Sequence, residues 1–184
     1  AEHWVEALKI WQGGMSFHGG LAGMILAMWL FAKRFDIPYL KLTDLLAVVA
    51  PIGLFFGRIA NFINGELWGR VSDVPWVMVF PTGGPQPRHP SQLYEAALEG
   101  LLLFIILLIL VNFTNIREKA GMLSGLFLLG YGAARAFVEQ YREPDEQLGF
   151  LWEGLTMGQI LSTPMIVGGL FLILYGLKQR HVAH

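Results

Sequence analysis

Five apolar runs decide what this chain can fold into: Gly19–Ala32, Leu45–Ile63, Ala96–Phe113, Met122–Val138 and Met157–Leu177. About 20 apolar residues cross a hydrocarbon core of about 30 Å. The third and fifth runs meet that length directly, and the first meets it once Ser16–His18 extend it. The second is interrupted by Arg58, and the fourth carries Arg135 near its end. Such interruptions are expected where a helix faces a polar cavity inside a bundle. Only 15% of the residues are charged, against about 25% in an ordinary soluble domain. The expected architecture is all-α: a polytopic transmembrane helix bundle of about five spans with an outer loop region, one domain over residues 1–184. Five buried helices of a soluble protein are the competing reading. The uncharged fifth run and the Trp and Tyr residues near the span ends weigh against it.

Composition closes off several kinds of chemistry. The net charge of −1 offers no basic field for nucleic acid. With no cysteine in the chain, there is no disulfide framework, thiolate zinc site or cysteine nucleophile. A thiol taking part in the reaction must belong to the substrate. There is no HExxH sequence or clustered set of carboxylates, so neither a metal nor a cofactor is expected. The first residue is Ala1, and residues 1–14 lack the order of a signal peptide. The numbering is expected to begin inside a longer chain.

The basic residues orient the spans. Lys33, Arg34 and Lys41 lie between the first two runs, Arg117 and Lys119 between the third and fourth, and Lys178 and Arg180 after the fifth. With alternating spans all three groups fall on one side, which the positive-inside rule makes cytoplasmic. The segments 64–95 and 139–156 then lie outside. Arg58 and Arg135 each stand about 13 residues into a span that starts inside, about 20 Å up at 1.5 Å per residue. His18 opens a span that starts outside. Three polar groups on three helices are therefore expected at one depth, around one cavity. An arginine there costs roughly 2.5–3.5 kcal/mol on insertion scales, so something must offset it. Glu66, Glu99 and Glu139 are available ion-pair partners. The alternative is an anionic ligand, for which a guanidinium fork suits phosphate or carboxylate. At this depth the nearest anions are phospholipid headgroups.

The segment Gly57–Gly69, GRIANFINGELWG, carries the densest polar pattern. Asn61 follows Arg58 by three residues, on the same helical face. Asn64-Gly65 is a turn signal, and glycines at both ends permit close approach of a bulky substrate.

This segment resembles the signature of the bacterial prolipoprotein diacylglyceryl transferases, whose form is close to GR-x-x-NF-x-NGE-x-x-G. Other segments resemble the same family in order: GGMSFHGG at Gly13–Gly20, RHPSQLYE at Arg88–Glu95, GYGAARAFVEQYREPD at Gly130–Asp145 and MGQILS at Met157–Ser162. The family's members begin with about two further helices, so the resemblance implies a chain lacking them and weak activity of this segment alone.

The resemblance implies a reaction. A diacylglyceryl group passes from phosphatidylglycerol to the thiol of a lipobox cysteine in a preprolipoprotein, and glycerol phosphate leaves. It also implies roles. Arg58 holds the phosphate, and Arg135 supports the same phosphate or the departing one. His18, with an ordinary pKa near 6.5, is the candidate to take the thiol proton, although a cationic pocket can itself deprotonate a thiol. Asn61, Glu66 and Gly69 shape the headgroup site. Glu139 and Arg142 order the outer loop or receive the peptide, and Tyr131, one turn before Arg135, hydrogen-bonds in the cavity. Membrane lipid and the lipobox peptide are the expected partners, in a bacterial inner membrane with the site on the periplasmic side and the C-terminus cytoplasmic. The alternatives are an anion or lipid transporter using intramembrane arginines and a non-catalytic assembly subunit. The transporter would show pseudo-symmetric halves, and no internal repeat is visible.

Overall fold

A computed structural model describes residues 17–143 and 157–179; of Phe17, His18 and Met157 it describes the backbone alone. Within them are five long helices: α1 (Phe17–Phe35), α2 (Tyr39–Asn64), α3 (Ser91–Phe113), α4 (Met122–Val138) and α5 (Met157–Lys178). The strands β1 (Met78–Val79) and β2 (Pro87–Arg88) form an antiparallel pair between α2 and α3, a small β element in an otherwise helical chain. The molecule is a polytopic helical bundle. By length and composition α2, α3 and α5 can each cross a membrane, and α4 is a shorter apolar helix.

The chain divides into two compact units, residues 1–42 and 43–184. In the first, α1 ends on Lys33 and Arg34, with the Lys33 ammonium 5.2 Å from the centre of the Trp29 ring. The helix stops because Asp36 adopts a left-handed φ of 53° and the Ile37 N–H turns back to the Ala32 carbonyl. That is the Schellman arrangement, and Pro38 follows it, as is common beyond a helix end.

In the second unit burial is inverted relative to a soluble protein. On α3 the apolar Ile105, Ile106, Leu108 and Ile109 are exposed, whereas Ser91, Gln92, Glu95 and Glu99 are fully buried. An apolar cluster of Leu103, Leu107 and Leu123, backed by Val48, Phe127 and Tyr131, ties α2, α3 and α4 together. Helices α4 and α5 pack antiparallel through small residues. A Cβ at Gly125 would lie 2.8 Å from the Gly169 carbonyl oxygen, and one at Gly132 2.9 Å from the Ile166 side chain. Close backbone approach of this kind replaces the hydrophobic drive that lipid surroundings cannot supply.

The start of α4 is held from a distance. Gly121 precedes it at φ 84° with no side chain to cap the helix. Asp44 of α2 does so instead. Its carboxylate accepts from the Gly121 N–H, the Ser124 N–H and the Ser124 hydroxyl, each at 2.7 Å. Hydrogen bonds to a charged group contribute about 1.5–3 kcal/mol each. Asp44→Asn will therefore lower unfolding stability in detergent by about 2–3 kcal/mol, read as a fall in Tm. An unchanged Tm would show that the cap is dispensable.

Candidate active site

The polar centre is built on one face of α3. Gln92, Glu95 and Glu99 recur at helical spacing, and none has exposed surface. The helix is wound as a π-helix over Ala96–Leu102, a segment that includes Glu99 and directly follows Glu95; such segments are frequent at functional sites. Gly100 lets α2 come close, since a Cβ there would lie 2.7 Å from the Phe55 Cβ. Arg58, one turn further along α2, reaches the two carboxylates.

Glu95 and Glu99 gather arginines from separate elements. Arg58 Nε lies 3.2 Å from Glu95 Oε2, and its Nη2 lies 3.5 Å from Glu99 Oε2. Arg135 Nη1 hydrogen-bonds Glu95 Oε1 and lies 4.0 Å from Glu99 Oε1. Its Nη2 lies 3.0 Å from Glu139 Oε2, one turn along α4. Arg142 Nη1 lies 3.9 Å from Glu95 Oε1. The Arg58 and Arg135 side chains are 17% and 13% exposed, while both glutamates are at 0%, so the arginines form the more accessible part of the cluster. Glu95 Oε2, both Glu99 carboxylate oxygens and Glu139 Oε2 are buried without a hydrogen-bond partner, as is Gln92 Oε1. Several of the ion pairs are therefore charge contacts rather than aligned hydrogen bonds. Glu139 has its room from α5: a Cβ at Gly158 would lie 2.5 Å from its carboxyl group. Gly158→Ala will cost about 1–3 kcal/mol by overpacking, whereas Gly168→Ala, with nothing within 4 Å, will cost none. Equal Tm values for the two variants would contradict this packing.

Beside the cluster, the turn after α2 is clamped by α3. Asn61 Nδ2 donates to Glu66 Oε2 at 3.4 Å, Gln92 Nε2 donates to the Glu66 carbonyl at 2.6 Å, and the Ser91 hydroxyl donates to the Leu67 carbonyl at 3.1 Å. Leu67 sits at a left-handed φ of 56°, a conformation that only surrounding contacts sustain. Gly69 pairs with Arg142 in a β-bridge, and its N–H donates to the His89 carbonyl at 2.8 Å. Arg88 locks the segment between α2 and α3. It lies over the Trp68 ring at 4.0 Å, donates to the Gly83 and Gly69 carbonyls, and pairs with Glu143 at 3.0 Å.

Four of the residues singled out in the sequence, Arg58, Arg135, Glu139 and Arg142, meet around Glu95 and Glu99. Asn61 and Glu66 pair with each other, and of the three carboxylates available to the arginines it is Glu99 and Glu139 that meet them. Gly69 is close to protein backbone rather than open to a substrate: a Cβ there would lie 2.5 Å from the Tyr141 carbonyl oxygen. Tyr131 stacks on Phe127 with ring centroids 6.0 Å apart, and no hydrogen bond of its hydroxyl is seen among the described residues. His18 lies in the first turn of α1, and its side chain is outside the described residues. No group of three or more His, Cys, Asp or Glu suited to a metal occurs among the described residues. The residue missed from sequence is Glu95, among the described residues the one carboxylate touched by three arginines. Its spacing from Gln92 and Glu99 was the available signal.

Comparison with known proteins bears on the same segments. The family model for prolipoprotein diacylglyceryl transferase matches residues 1–175. A phosphatidylglycerol–prolipoprotein diacylglyceryl transferase of Allorhizobium ampelinum is 65% identical over 168 residues, covering 91% of this chain and 58% of the relative. Proteins of the same name from Rhizobium leguminosarum and Rhodospirillum rubrum are 58% and 56% identical. They align over 95% and 97% of this chain and 63% and 66% of their own lengths. The chain thus spans about three fifths of the length of the curated relatives it matches.

Proposed function

The chain belongs to the prolipoprotein diacylglyceryl transferase family, and from that premise we propose that its arginine cluster binds the phosphate of phosphatidylglycerol for transfer of the diacylglyceryl group to a lipobox cysteine. The observation that carries this reading is the placing of Arg58 and Arg135. They come from different helices, meet the same two buried carboxylates, and keep part of their own side chains exposed. A guanidinium whose rear N–H groups are held by carboxylates is fixed in direction. Its remaining N–H groups are then preorganised for an incoming anion, and nothing must reorganise as charge develops.

The reaction suits that inventory. The peptide's S–H bond loses its proton and a sulfur–carbon bond forms to the glycerol carbon. The carbon–oxygen bond to phosphate breaks, and its electron pair stays on the phosphate oxygen. Charge therefore accumulates next to the arginines during the step. Arg58 holds the phosphodiester, and Arg135 supports it and the departing monoester. We assign His18 to receive the thiol proton, an assignment resting on its sequence position alone. Asn61, Glu66 and Gly69 form the turn beside the headgroup, and Glu139 and Arg142 hold the Arg135 side of the site. Tyr131 contributes packing through its ring.

This reading places the protein in the bacterial inner membrane with the cluster towards the periplasm, since Arg117, Lys119 and Lys178 belong to the opposite ends of the helices that carry it or pack on it, and the sequence adds Lys33, Arg34 and Lys41 between the first two apolar runs. A C-terminal reporter will accordingly be active in the cytoplasm; activity only in the periplasm would reverse the orientation. The function itself is tested with the full gene product, phosphatidylglycerol vesicles and a lipobox peptide. The expected result is a mass gain of one diacylglyceryl group on the cysteine, with release of glycerol phosphate. Absence of that gain, or a gain without glycerol phosphate, would refute the reading.

A further inference from the structure

The clamp for an anion is itself full of anions, and that has a kinetic consequence. Among the described residues the guanidiniums of Arg58, Arg135 and Arg142 face the carboxyl groups of Glu95, Glu99 and Glu139. Glu95 stands at its centre. One oxygen faces Arg58 and the other faces Arg135 and Arg142, and no part of the residue is exposed. A carboxylate so placed does more than orient the forks. It competes for their charge with any phosphate bound in front of them, at separations where solvent screens little.

Resting on the phosphatidylglycerol reading above, we propose that Glu95 is a resident counter-anion that loosens the hold of Arg58 and Arg135 on phosphate and so allows glycerol phosphate to leave. The phosphodiester of the substrate carries one negative charge. The product is a phosphomonoester, which carries about 1.5–2 at neutral pH. A clamp made of cations alone would bind the product more tightly than the substrate and would stall after one turnover. With Glu95 in place the substrate is held mainly by directed N–H bonds, which the phosphodiester and the monoester both satisfy. The extra charge of the product meets a resident negative charge instead of a surplus of positive charge. Glu95 is thus a positioning residue for the arginines and a determinant of product release. Glu139 touches Arg135 alone among these arginines, so it is the lesser contributor.

The test uses Glu95→Gln in the full gene product, with glycerol phosphate as the probe. Removing the charge will tighten glycerol phosphate binding about tenfold, both by calorimetry and as an inhibition constant. KM for phosphatidylglycerol and steady-state kcat will fall together, while the first turnover stays faster than later ones and gives a burst. A residue that merely held the arginines in place would instead weaken glycerol phosphate binding and slow the first turnover. Unchanged or weaker binding of glycerol phosphate overturns the proposal. If the glutamine variant does not fold, Glu95→Asp keeps the charge but draws it back from both forks. It will tighten binding about threefold, and unchanged or weaker binding there also overturns the proposal. The wild-type protein separates the two levels. If it transfers no diacylglyceryl group, the functional reading fails; if it does and the variants bind no tighter, only the role of Glu95 fails.

Discussion

Arg58→Lys will lower diacylglyceryl transfer about 100-fold per folded molecule, although the positive charge is kept. Arg58 presents two different nitrogens to two different carboxylates, Nε to Glu95 and Nη2 to Glu99. Those two charge contacts draw the guanidinium between the carboxylates. Lysine offers one compact ammonium on a flexible stem, so it can satisfy one carboxylate or the phosphate but cannot orient a fork between them. The leaving oxygen must stay in line with the incoming sulfur, and a misplacement of about 1 Å costs about 100-fold. Arg58→Ala will be worse for a mixed reason. It removes the phosphate contact and also strips a partner from buried carboxylates, which costs about 3–5 kcal/mol when a buried pair is broken. Lysine is therefore the diagnostic substitution, and turnover must be normalised to folded protein. If Arg58 served only to neutralise Glu95 and Glu99, lysine would be tolerated and alanine would fail through low protein level. Near-wild-type turnover by the lysine variant would end the phosphate-clamp reading.

What the sequence disclosed follows the range of the interactions. The helices were legible because apolar runs of that length leave few alternatives, and α4 begins and ends at the residues its run marked, Met122 and Val138. The meeting of Arg58 and Arg135 was legible from depth arithmetic, since each lies a similar distance into a span starting on the same side. Glu95 was not legible in that way because the apolar run opens at Ala96, and counting apolar residues placed the helix start there. The helix begins at Ser91, and its first turn is polar because it is buried against the Glu66–Leu67 turn and the arginines. The capping of α4 by Asp44 joins residues 77 apart in sequence, and no local pattern announces it. On charge alone Glu66 was as available to an arginine as Glu99 and Glu139. The tight turn after Asn64 directs it to Asn61 instead.

Gly69→Ala will abolish transfer while leaving the helix bundle assembled. A Cβ at this position would lie 2.5 Å from the Tyr141 carbonyl oxygen and 2.7 Å from both the Cβ and the carbonyl oxygen of His89. Two of those three neighbours are backbone atoms, so no side-chain rotation relieves the clash. The methyl group would have to part three segments that are stitched together here. Gly69 N–H donates to His89, His89 N–H donates to the Arg70 carbonyl, and Arg70 N–H donates to Tyr141. Arg88 adds a bond to the Gly69 carbonyl, and Gly69 bridges Arg142. The displacement therefore reaches both sides of the site, moving the Asn61–Glu66 turn and withdrawing Arg142 from Glu95. Overpacking of this kind costs about 1–3 kcal/mol, a modest loss for a bundle whose α4–α5 contact and Asp44 cap lie elsewhere. The same shift applied to the anion site costs more than about 100-fold in rate. Gly57 supplies the contrast from the same signature, because nothing lies within 4 Å of a Cβ there and Gly57→Ala will fold as the parent does. The measurements are thermal unfolding in detergent and transfer to a lipobox peptide. Gly69→Ala retaining more than a tenth of parental turnover would show that the turn and Arg142 are not coupled to the chemistry through this contact.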